Sequence, residues 1–178
     1  MASDTKNVKL GVCKVFFNGQ DLGYTQGGVD VSVKTDTHPV NVDQFGKTTI
    51  NEYIMGRTVT AKVPLAETTL ENMVRIMPGS VLMDDETDPS KKFVEVTTGI
   101  GTDLLSIARE LRLHPVSLGD GDFSEDFVIP LTATAGALDF AYKLENERIF
   151  NVDFTGYPDP VTNKLFYVGK RPPASYPD

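Results

Sequence analysis

Residues 27–67, GGVDVSVKTDTHPVNVDQFGKTTINEYIMGRTVTAKVPLAE, decide the fold. The stretch opens with strict alternation, Val29, Val31 and Val33 against Asp30, Ser32 and Lys34, which at period two predicts a strand with one buried and one wet face. It closes the same way, with Val59, Ala61, Val63 and Leu65 against Thr58, Thr60, Lys62 and Pro64. The intervening residues 36–56 are too many for a tight connection, since hairpin loops usually take about 2–5 residues. They are expected to form a long loop. Val40 and Val42 extend the first strand, and Gln44, Phe45, Ile50, Tyr53, Ile54 and Met55 then mix large apolar with polar groups. Such an excursion between rigid strands reads either as a docking arm or as a loop folded back on its own domain.

Outward from this stretch, the chain of 178 residues is long enough for one well-buried core and short for two. It holds one cysteine, Cys13, so no internal disulfide is expected, and its two histidines, His38 and His114, lie far apart. Neither a zinc spacing nor a nucleophile-and-base pattern stands out, and neither metal, cofactor nor enzymatic activity is expected. No apolar run approaches the length of a membrane span, and the opening MASDTKNVK lacks a signal peptide's apolar segment, so folding in the cytosol is expected. The formal charge of −8, from 25 acidic and 17 basic residues, argues against a grip on DNA or RNA, because such affinity rests on Lys and Arg neutralising phosphates.

Residues 1–8 are polar and are expected to be a mobile arm. A first strand is predicted from Val8 through Leu10, Val12 and Val15 to Phe17, turning at Asn18-Gly19, the pair that best tolerates positive φ in a tight hairpin; 20–24 is the return. Thr68 followed by Glu71 reads as a capping box opening a short helix, with Leu70, Met73, Val74 and Met77 on one face and Pro78-Gly79 ending it. The acidic run 83–92, with Asp84, Asp85, Glu86 and Asp88, reads as a solvated loop, and 93–97 as a strand. In DLLSIARELRLHP both helical and alternating spacings occur, and the predicted division is a turn at 103–106 and a strand at 108–114. A second acidic loop, with Asp120, Asp122, Ser124 and Asp126, has too few converging ligands to be read as an ion site.

Phe127, Ile129, Leu131 and Ala133 alternate in a strand whose Pro130 implies an edge or a bulge. Leu138, Phe140 and Tyr142 suggest a further strand, as do Phe150, Val152 and Phe154 over 148–156. Apart from 164–168, the tail 158–178 is expected to be irregular. The sum is a mainly β single domain over 1–178, eight or nine strands in a β-sandwich or partly open barrel with one flanking α-helix.

The ordered blocks GQDLGYTQGGVDVSVKTDTHPVNVDQFGKTTINEYIMGRTVTAKVPLAETTLENM, ELRLHP, EDFVIPLTATAGALDFAY and FNVDFTGYPD resemble the major tail tube proteins of long-tailed bacteriophages over nearly the whole chain. The resemblance implies subunits that join edge to edge into hexameric rings enclosing a β-barrel channel, stack into a tube, and pass the viral genome through it without holding it. It implies a place in the virion tail, assembly in the host cytoplasm, and tape-measure, terminator and distal tail proteins as partners. The loop 36–56 becomes the bridge between rings, with Phe45, Ile50, Tyr53, Ile54 and Met55 as anchors. Asp30, Asp36, Asp43 and Glu52 become the acidic lining of the bore, while Lys34 and Lys62 depart from a purely acidic lining. The same architecture serves type VI secretion tubes. A monomeric ligand-binding β-sandwich is the alternative of another class, disfavoured by the absence of Trp.

Overall fold

The computed structural model describes residues 5, 8–9, 11–85, 88, 91–142, 144 and 147–170. Most of the expected arm 1–8, Leu10, Glu86 and the last eight residues of the 158–178 tail lie outside them. The domain is mainly β. Strands β1 (Cys13–Phe17), β2 (Gln20–Asp21), β3 (Asp30–Asn41) and β4 (Thr49–Leu65) precede α1 (Leu70–Ile76), the one α-helix among the described residues. After it come β5 (Ser80–Asp84), β6 (Lys92–Val96), β7 (Arg109–Pro115), β8 (Phe127–Thr134), β9 (Phe150–Gly156) and β10 (Tyr167–Val168).

One antiparallel sheet runs in the order β2-β1-β7-β8-β9-β4-β3, with β10 added to β8, while β5 and β6 form a separate hairpin. The sheet curls until its two halves meet. Phe17 of β1 packs on Phe154 of β9 with ring centroids 5.1 Å apart, and Val15, Leu111, Leu113 and Ile129 close over Val59, Ala61, Val63, Leu65 and Val152. The chain then crosses between the rims: Leu22 N–H donates to Val15 O on β1, while Gln26 N–H donates to Pro64 O at the end of β4. The result is a partly open barrel, with β2 and β3 as the two ends of its sheet.

Local chemistry accounts for most elements. Asn18 and Gly19 both take positive φ, 53° and 74°, as the two-residue turn requires. β9 alternates buried and exposed without exception, and Gly156 ends it where a Cβ would strike the side chains of Val59 and Ile129. The Pro130 signal resolves as a bulge: Arg109 faces Thr132 but Leu111 faces Ile129, so Pro130 and Leu131 together oppose Glu110.

Four expectations are corrected. The helix cap is Thr69, whose Oγ1 accepts from Asn72 N–H at 3.1 Å, and not the Thr68–Glu71 box; Thr68 Oγ1 and O instead accept from the Arg148 guanidinium. β1 begins at Cys13, leaving Val8 and Val12 exposed. β5 starts directly after the Pro78-Gly79 stop, on residues to which the sequence assigned no element, and runs into the stretch 83–92 expected to be loop, because Leu82 and Val94 lie opposite each other on the hairpin face that is half-buried. Residues 137–142 form no strand, although Leu138 and Phe140 still pack on the core at period two.

Candidate functional site

The fifth correction concerns 36–56. There is no long loop. β3 and β4 continue through it as one antiparallel hairpin, paired from Asp30↔Lys62 to Asn41↔Thr49 and closed by a 3-10 turn at Asp43–Phe45. β9 covers β4 only from Val59 to Leu65, so the outer ten residues of β4 and their partners project as a two-stranded arm. At roughly 3.3 Å per residue the arm reaches about 30 Å.

Both faces of the arm are exposed from Val31 to Pro39 and from Ile50 to Thr58. Val31 and Val33 lie opposite Ala61 and Val59, which are fully buried, yet they are exposed themselves because β3 lies beyond the edge of the core. Only Val29 of the expected buried face packs against it.

Two bulges set which side chains share a face. Gly56 faces Asp36 but Ile54 faces Thr37, leaving Met55 as the extra residue; Asn51 faces Val40 but Thr49 faces Asn41, leaving Ile50. Two of the five expected anchors are therefore bulge residues. By register Tyr53 lies beside His38 on the face that carries Asp36, and Ile54 on the face that carries Val31 and Val33. Phe45 sits in the tip turn. Phe45, Ile50, Tyr53, Ile54 and Met55 are all exposed, between 48% and 70%, so none folds back onto the domain. They form no single patch. At the base of the arm Met55 and Arg57 line an open cleft of about 540 Å³ with Pro158, Asn163, Leu165 and Phe166.

The four acidic candidates also divide. Asp30 and Asp36 share one face of the hairpin with Lys34 and Lys62, Glu52 falls on the other, and Asp43 begins the tip turn. Asp30 lines an open cleft of about 470 Å³ with Asp139, Asp153 and Lys62. Asp153 stands opposite Lys62 in the β4–β9 ladder. This arrangement required the register of three strands and was invisible in the spacing.

Polar chemistry elsewhere concentrates where β7 meets the loop 116–126. His114 Nδ1 lies 2.7 Å from Asp126 Oδ1, both nearly fully buried, and Arg112 Nε lies 3.9 Å from Asp126 Oδ2. Asp120 is turned outward to Lys14 Nζ at 2.6 Å, which holds its carboxyl below the usual aspartate range, and Asp122 accepts from Ser124 N–H. The acidic residues of this loop thus point to different partners. Among the described residues no group of three or more His, Cys, Asp or Glu is arranged to hold a metal, and no helix is long and apolar enough to cross a membrane. No family model matches the chain, and a search of curated proteins finds no match.

Proposed function

We propose that the chain is a structural subunit that assembles with its own copies into hexameric rings stacked as a tube, of the kind that conducts the genome through a bacteriophage tail. The observation that carries this reading is the projecting hairpin, about 30 Å of two-stranded sheet with apolar groups on both faces and nothing behind either. A two-stranded ribbon is marginal alone, and a large exposed apolar area marks a contact surface. The unpaired outer edge of β3 adds twelve residues of backbone available for strand pairing. The resemblance in the sequence blocks supplies the identity of the assembly.

In the tube, the anchors Phe45, Ile50, Tyr53, Ile54 and Met55 serve contacts with neighbouring subunits, the aromatic and aliphatic types that interface cores favour. They are distributed so that different faces of the arm meet different neighbours. The net charge of −8 disfavours a hold on the passing DNA; Asp30 and Asp36 belong to the face offered to it, where Lys34 and Lys62 offset them, and Glu52 and Asp43 are placed elsewhere on the arm. Tape-measure, terminator and distal tail proteins are the partners at the two ends.

Negative-stain microscopy of the concentrated protein, alongside sedimentation velocity over a concentration series, tests the reading. Six-fold rings or hollow tubes are the expected result. A monodisperse monomer at every concentration and ionic strength overturns it.

A further inference from the structure

Arg112, His114 and Asp126 do not take part in the surfaces described above, yet Asp126 is a carboxylate with 1% exposure. Burying such a group is unfavourable without a positive or hydrogen-bonding partner, and the partners here come from β7: His114 Nδ1 lies 2.7 Å from Oδ1, and the Arg112 guanidinium stands beside Oδ2. Phe123 of the same loop lies against the His114 ring, centroids 6.0 Å apart, and against the Arg112 guanidinium, which also lies over the Phe16 ring of β1 at 4.9 Å.

Asp126 has a second attachment. Its backbone carbonyl accepts from Gly169 N–H at 2.8 Å, directly after β10. β10 itself has two paired residues, Tyr167↔Val128 and Val168↔Phe127, with Phe166 stacked on Phe127 at 5.0 Å. Gly169 takes φ +97°, and a Cβ there would lie 3.0 Å from Ser124 O, so the C-terminal strand and the loop approach as closely as backbones can. One residue therefore joins three elements: β7 through its side chain, the loop through its position, and β10 through its carbonyl.

We propose that Arg112, His114 and Asp126 form a buried latch that makes the loop 116–126 and β10 a single cooperative unit, able to open from the barrel together while β4 and β9 stay closed. The unit has few ladder bonds of its own, and beside the exposed pairs Lys14–Asp120 and Lys9–Glu125 this cluster is its buried polar attachment, the features of a segment with low local stability. Its opening uncovers the β8 edge at Phe127 and Val128. This inference is independent of the tube reading.

Hydrogen exchange read by mass spectrometry, on the wild type, Asp126→Asn and His114→Gln, tests it. The expected result is that exchange in peptides covering 118–126 and 165–170 accelerates at least tenfold in both variants, by the same factor in the two segments, with β4 and β9 unchanged. Gly169→Ala keeps all three charged groups and strains the link from the strand side. It is expected to release the same two segments together and to shift the imidazole ¹⁵N resonances of His114. Acceleration confined to one segment, or spread equally over β4 and β9, overturns the latch. Should the charge variants not fold, Gly169→Ala alone decides: an unshifted His114 resonance with β10 released overturns it.

Discussion

Ile54 lies opposite Thr37, although the register running from Lys62 and Asp30 to Gly56 and Asp36 would bring Met55 to that place. The single extra residue reverses the pleat of the outer arm, because side chains on a strand alternate at period two. It puts Ile54 on the face that continues from Val31 and Val33.

Inserting one residue between Asp36 and Thr37, opposite Met55, is accordingly expected to leave the barrel folded and to exchange the faces of Tyr53 and Ile54 relative to Val31 and Val33. Thermal unfolding should match the wild type within about 0.5 kcal/mol, as for other surface changes away from the core. Tube formation, scored by microscopy at matched concentration, should be lost.

Replacing Phe45 and Tyr53 together with Ser tests the arm without altering its register. Both side chains are exposed, so the monomer should keep its circular dichroism and melting temperature, and stacking should fail. Wild-type tube yield from this variant would remove the arm from the assembly.

The core prediction is larger. Phe154 is fully buried against Phe17 where the two halves of the sheet meet. Phe154→Ala is expected to cost about 3–5 kcal/mol in denaturant unfolding, the range for truncating a buried aromatic.

At the start of α1 two neighbouring polar residues should differ. Thr69→Ala removes one capping acceptor and is expected to cost about 1 kcal/mol. Asn72 is buried and donates to Leu22 O and Glu67 O, each at 2.9 Å, so Asn72→Ala strands two carbonyls and should cost more than the cap, about 2–3 kcal/mol. Chemical denaturation of the two single variants decides the order.

The Lys14–Asp120 pair gives a pH dependence of known sign. Its hydrogen bond to Lys14 lowers the Asp120 carboxyl and raises the Lys14 ammonium. Asp120's contribution is therefore present above the ordinary aspartate range and lost as pH falls through the depressed value; that of Lys14 is present below the ordinary lysine range and lost as pH rises through the raised one. An NMR titration of the Asp120 carboxyl should show its midpoint moving up toward the ordinary range in Lys14→Met.

Much of the barrel was legible because its strands obey period two against a single core. Phe150, Val152 and Phe154 alternate cleanly, Asn18-Gly19 carries its turn in two residues, and Pro130 marks its bulge. The arm was not legible as sheet because its burial cue is missing: with both faces exposed, selection for alternation lapses, and the bulges at Ile50 and Met55 break what remains. β5 escaped notice because Pro78-Gly79 signals an ending without signalling what begins next. The cluster at Asp126 hid among acidic neighbours. Asp120, Asp122 and Asp126 look alike in sequence, and only the folded loop, reaching over the face that Lys14 and His114 share, sets Asp120 against the one and Asp126 against the other.

β4 runs 17 residues, through its two bulges, from the tip of the arm into the barrel. Tension on the tip is thus delivered along the strand and meets the β4–β9 ladder lengthwise, where the seven pairs from Val59 to Leu65 share it at once instead of parting one after another. If the chain assembles as proposed, a subunit pulled by its protruding end would resist through all seven pairs together, and its hub would be loaded in the direction in which a ladder is hardest to part.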